Sequence, residues 1–282
     1  MLKYRTKPLL SSIVLIVLII LFHKIPLNLF FVNIGFNEYH SVSFDKIITN
    51  FISIIAILFL IKNLKIPFRL FSFNLDKIKY YLPLILYIIV FSGGFKDFLN
   101  FNFSSISFNL LFTYLLKYFS SSFLEEFVFR GFILGIFILN FPKTRICIFK
   151  SVALSGLIFG LMHIINLWTF EGQTIKGMIN QVYATTCFGI MYGATYLKTR
   201  SILTLGLLHF ISNFFSMINE LNFIEVINNS VTIADKSLIN MIISEIFRII
   251  IFGIPLIFGL FLIYNTDEND LNKLIDENEN VA

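Results

Sequence analysis

Phe123-Leu124-Glu125-Glu126-Phe127-Val128-Phe129-Arg130 places two adjacent carboxylates and an arginine inside a run that otherwise reads as membrane-buried helix. An ionisable side chain at membrane depth is costly. It persists when it is paired, faces a wet cavity or does chemistry. On a helix, Glu126 and Arg130 stand one turn apart with the acid first, the more favourable order for an ion pair. Glu125 projects about 100° away from that pair. The expected division is Glu126 with Arg130 as a structural pair and Glu125 as a free base.

The rest of the chain supports the membrane reading. Of its 282 residues, 57% are hydrophobic, against about 45–50% in soluble domains. Mean hydropathy is +0.82. The net charge of +5 comes from lysines and arginines in short segments between apolar runs. That is the positive-inside pattern and not a nucleic-acid footprint, so no nucleic acid is expected as a partner. Cys147 and Cys187 have neither CxxC nor zinc-site spacing, so no disulfide framework is implied. Leu9–Phe22 follows Lys3, Arg5 and Lys7, as a signal peptide would. No small-residue cleavage site comes after it, only His23-Lys24-Ile25-Pro26, and it reads as an uncleaved first span.

Apolar runs lie at Pro8–Phe22, Ile47–Ile61, Tyr81–Phe95, Leu110–Phe129, Phe149–Leu167, Ile179–Leu197, Ile202–Ile218 and Ile239–Tyr264. They predict an all-α, polytopic membrane helix bundle of about eight transmembrane helices. With both termini cytoplasmic, the inner segments carry 14 of the 22 Lys and Arg and the outer ones 5. That bias selects this orientation and suits an integral protein of the plasma membrane. The expected organisation is 1–106 as helices without a motif, 107–219 as the core, 220–264 as the last helix region and 265–282 as a polar acidic tail. Ser107–Phe141 would reach roughly 50 Å as one helix. It is therefore expected either to lie partly along the interface or to break, with Ser120-Ser121-Ser122 as the place for irregular backbone, where protein or water must line it.

Two further clusters carry imidazoles at helical spacing: Phe159-x-x-x-His163 and His209-x-x-x-Asn213. Counted from the inner ends of their helices, His163, His209 and Glu125 lie roughly 18, 12 and 22 Å deep at about 1.5 Å per residue. All three are expected to converge near mid-membrane on a cavity open to the cytoplasm. Each cluster alone has a structural reading, since a lone Glu–Arg pair, histidine or Asn213 serves as well for helix–helix glue. Together, a carboxylate base, two imidazoles and an amide can support hydrolysis by an activated water. Gly131/Gly135, Gly156/Gly160 and Gly189/Gly193 suit close helix packing, and Glu245 with Arg248 reads as a structural pair.

At these residues the chain resembles the CPBP intramembrane proteases, the CAAX-processing and bacteriocin-processing (Abi) endopeptidases. That family is marked by Glu-Glu-x-x-x-Arg, Phe-x-x-x-His and His-x-x-x-Asn or Asp. All three occur in order, as Glu125-Glu126-x-x-x-Arg130, Phe159-x-x-x-His163 and His209-x-x-x-Asn213, within roughly Ser107–Asn219. The resemblance implies an intramembrane endopeptidase acting on a membrane-embedded or lipidated peptide or protein. Glu125 and His163 would activate water, and His209 with Asn213 would stabilise the oxyanion. Glu126, Arg130 and Phe159 would support the site. It also implies a rival, a zinc held by Glu125, His163 and His209. Metal-free activation is the favoured expectation, because an amide such as Asn213 suits an oxyanion donor better than a zinc ligand. Two other readings stand beside the enzyme. One is a bacteriocin self-immunity protein that binds a toxin or its receptor. The other is a small transporter, which would show repeats and broken helices in matched halves.

Overall fold

The computed structural model describes residues 7–72, 75–90, 94–142, 144–169, 174–221 and 238–266. The acidic tail from Asp267 onward lies outside the described residues, as do Lys3, Arg5, Lys143, Lys236 and Lys273 of the charge pattern.

Pro8 opens α1 (Pro8–Phe22), where its missing N–H costs nothing. A short α2 (Asn28–Asn33) leads to α3 (Glu38–Asn63). Asn37 caps α3 by accepting from the His40 amide at 2.9 Å. The chain then forms α4 (Ile78–Val90), α5 (Gly94–Leu99) and α6 (Phe108–Glu126), the last capped by Ser107. Next come α7 (Leu134–Asn140), α8 (Arg145–Met162), α9 (Asn166–Thr169), α10 (Ile175–Thr199), α11 (Ile202–Met217) and α12 (Leu238–Tyr264).

The described residues are all helix and connection. Three helices are long and apolar enough to cross a membrane by themselves: Glu38–Asn63, Arg145–Trp168 (α8 with the turns that follow it) and Glu245–Tyr264. The expected count of eight and the orientation of the termini rest on the apolar runs and the charge bias alone. Large apolar side chains such as Ile55, Phe59, Phe247 and Ile257 point outward, as they should where lipid is the solvent.

The bundle has two packed halves. α10 lies against α8 and α12, and α6 lies against α3 and α11. α8 and α10 meet at glycine: a Cβ on Gly189 would sit 2.7 Å from the Gly156 Cα. That is the backbone-to-backbone approach expected of small residues at membrane helix contacts. α3 and α6 run the same way, because His40 bonds Thr113 and Asn50 bonds Ser120.

The expectation of irregular backbone at Ser120–Ser122 fails. The chain is helical through all three serines. Each hydroxyl has a helical neighbour to bond, with Asn50 on Ser120 and Ser121 and Asn213 on Ser122. The helix departs from α geometry later, widening into a π-wound turn over Phe127–Ile133, directly after the two glutamates.

Candidate functional site

The site is assembled on α6, α8, α10 and α11. The pair Ser122 and Glu126 on α6 faces Asn213 and His209 on α11. The Asn213 amide donates to Ser122 Oγ at 3.0 Å, and His209 Nδ1 donates to Glu126 Oε1 at 2.8 Å. Low numbers on α6 meet high numbers on α11, so the helices are antiparallel and the one-turn spacing of His209 and Asn213 matches that of Glu126 and Ser122. Gly206 lets α11 approach this closely, since a Cβ there would lie 2.9 Å from the Phe123 ring.

Glu126 is fully buried and Arg130 is 1% exposed, with Arg130 Nη1 3.0 Å from Glu126 Oε1. A buried carboxylate facing a guanidinium is an acceptor only. His209 must therefore give Glu126 its Nδ1–H, which turns Nε2 toward Glu125, 3.5 Å from Oε2. The Glu125 side chain keeps 31% exposure. The two adjacent carboxylates thus have different surroundings: one is sealed in an ion pair, the other is at a surface.

His163 closes α8. It lies at the helix C-terminus, where the Phe159 carbonyl has lost its next turn of partners. Its Nδ1–H fills that vacancy at 3.0 Å. The Phe-x-x-x-His spacing is thereby explained, and Nε2 is the ring nitrogen outside that bond. The end of α8 at Met162, rather than Leu167, puts His163 at the end of its helix and not part-way along it. Phe159 stands between the imidazoles, its ring 5.1 Å from His163 and 6.2 Å from His209. The Arg130 guanidinium lies over the same ring at 4.8 Å, a cation–π contact that holds the arginine from behind.

Glu125, Glu126, Arg130, Phe159, His209 and Asn213 are therefore linked through neighbouring contacts, while His163 joins through Phe159. The zinc set does not form as a ligand group. Among the described residues, no three His, Cys, Asp or Glu side chains stand close enough to hold a metal. Both ring nitrogens of His209 already face carboxylates.

Four contributors escaped the sequence reading. Tyr192 on α10 lies 5.4 Å from the His209 ring and 5.1 Å from the Arg130 guanidinium carbon. It sits between Gly189 and Gly193, the small-residue face of α10, which was the available clue. Ser155 donates to the Phe129 carbonyl at 2.9 Å, supplying a partner within the π-wound turn. Ser122 orients Asn213. Asn50, 2% exposed, bonds His23 on one side and Ser120 and Ser121 on the other.

A family model described as type II CAAX prenyl endopeptidase Rce1-like matches residues 107–215. It covers α6 to α11 and all three motifs, in agreement with the CPBP resemblance. No curated protein and no solved structure matches the chain.

Proposed function

We propose that this chain, whose residues 107–215 match the family model described as type II CAAX prenyl endopeptidase Rce1-like, is an intramembrane endopeptidase. Its substrate class is a membrane-bound tail carrying a prenylated cysteine. The observation that carries this reading is the division between adjacent carboxylates. Glu126 is sealed by Arg130 and His209, whereas Glu125 is only half-buried beside His209 Nε2.

In this reading Glu125 takes a proton from a water as its oxygen attacks the scissile carbonyl. His163, whose Nδ1–H is committed to Phe159, offers Nε2 as a second base to the same water. The developing oxyanion sits beside His209 and Asn213. Glu126 on Nδ1 favours a proton on Nε2 of His209 when charge builds nearby. The Asn213 amide spends one N–H on Ser122 and keeps the other for the oxyanion. The proton held on Glu125 then goes to the leaving amine.

The test is cleavage of a quenched farnesylated peptide by purified protein, wild type beside Glu125→Gln. Loss of turnover with unchanged thermal unfolding is expected. Full turnover in the variant overturns Glu125 as the base, and no cleavage by wild type of prenylated or unprenylated peptides overturns the peptidase.

A further inference from the structure

Three buried polar atoms on the Glu126–Arg130 pair and its neighbour Tyr192 have no hydrogen-bond partner among the described residues: Glu126 Oε2, Arg130 Nη2 and Tyr192 OH. Their residues are 0%, 1% and 3% exposed. They belong to touching side chains, since Arg130 bonds Glu126 at 3.0 Å and lies over the Tyr192 ring at 5.1 Å.

Over nine-tenths of buried polar groups are paired with protein or with ordered water. Three unpaired atoms in one contact group, two of them on charged side chains, therefore point to a shared partner. Their chemistry identifies it. Nη2 only donates, Oε2 only accepts and the tyrosine hydroxyl does either. A partner serving all three must accept from arginine, donate to the carboxylate and exchange a bond with a phenol. Water does this with about three hydrogen bonds, the usual number for a buried molecule.

We propose that Glu126, Arg130 and Tyr192 enclose a bound water, and that Tyr192 is a positioning residue acting through it. With its second oxygen tied through water to Tyr192, Glu126 cannot swing its first oxygen off His209 Nδ1. The water is separate from the one that attacks substrate. It stands independently of the peptidase reading, whereas the kinetic effect below rests on that reading.

Radiolytic hydroxyl footprinting of the full-length protein in nanodiscs, with rapid mixing into ¹⁸O-water, tests the site. Buried side chains are labelled by this method only where a water touches them. Tyr196 is the dry control, being fully buried with its hydroxyl bonded by the Arg69 amide. Tyr264, 68% exposed, is the control for bulk water. Tyr192 is expected to be oxidised while Tyr196 stays silent, and to take up ¹⁸O more slowly than Tyr264. Silence at Tyr192 overturns the site. Exchange as fast as at Tyr264 overturns its enclosure. On prenylated peptide, Tyr192→Phe keeps the ring and is expected to lower kcat about tenfold at unchanged KM, the pattern of lost transition-state support. An unchanged kcat overturns the positioning role. If wild type cleaves nothing, the peptidase reading and the positioning role built on it fall, while the footprint still decides the water.

Discussion

Asn213 reaches across from α11 and places its amide nitrogen 3.0 Å from the hydroxyl of Ser122 on α6. Ser122 is fully buried, so the bond is shielded from competing water. The contact fixes how the Asn213 amide is turned. Removing an oxyanion donor outright costs about 10²–10³ in kcat. On the proposed mechanism Ser122→Ala leaves the Asn213 donor in place but free to rotate, and is expected to lower kcat about tenfold with little change in KM. Asn213→Ala should cost more, and the double variant no more than Asn213→Ala alone. Steady-state kinetics on the four proteins checks this: full additivity would show that Ser122 does not act through Asn213.

The Glu126–Arg130 pair predicts an asymmetric stability pattern. Arg130→Met leaves a buried carboxylate uncompensated, and breaking such a pair costs about 3–5 kcal/mol. Replacing both, as Glu126→Leu with Arg130→Met, removes the buried charge altogether. The double variant should unfold at a higher temperature than Arg130→Met alone, yet stay inactive because His209 has lost its Nδ1 partner. Differential scanning fluorimetry beside a cleavage assay separates the two effects.

Chelation gives a third expected outcome. With both nitrogens of His209 turned on carboxylates and His163 committed at Nδ1, a tight zinc-chelator treatment should leave the cleavage rate unchanged. Loss of activity on chelation and its return with zinc would show that the side chains regroup around a metal.

Asn50 predicts a contribution from outside the matched family segment. Its side chain joins His23, Ser120 and Ser121, linking α1's end and α3 to α6 one turn before the glutamates. Asn50→Ala takes a partner from buried Ser120 and from the half-buried His23 and Ser121, at about 1–3 kcal/mol. A fall in unfolding temperature, larger than for Ser121→Ala alone, is the expected result in detergent.

Much of this was legible because it is local. Pro8–Phe22 is predicted and observed with the same ends, and Ile202–Ile218 differs from α11 by one terminal residue. The Glu126–Arg130 pair follows from one-turn spacing within a single helix. The start of α3 was less legible: the apolar run begins at Ile47, but the helix begins at Glu38. Its first turns carry Ser41 and Ser43, buried by neighbouring helices, which a hydropathy pattern does not register. Ser122 and Asn50 were illegible for the same reason, and Tyr192 was marked only by the two glycines beside it. Their roles depend on which helix lies opposite, and no periodicity within one segment encodes that. His209 on Glu126, 83 residues apart, required the fold.

The π-wound turn at Phe127–Ile133 lets this helix carry a surplus residue without turning its second half away from its neighbours. A π turn closes i→i+5 and accommodates one residue more than an α turn. Rewound as α at the same length, the segment would rotate everything after it by about 100° relative to Glu125 and Glu126. Gly131 would leave its fit against Ile61 and Phe68, and Gly135 its fit against Ile66 and Pro67. In alignment terms, this is the one stretch of the helix where a single-residue gap can be closed by rewinding.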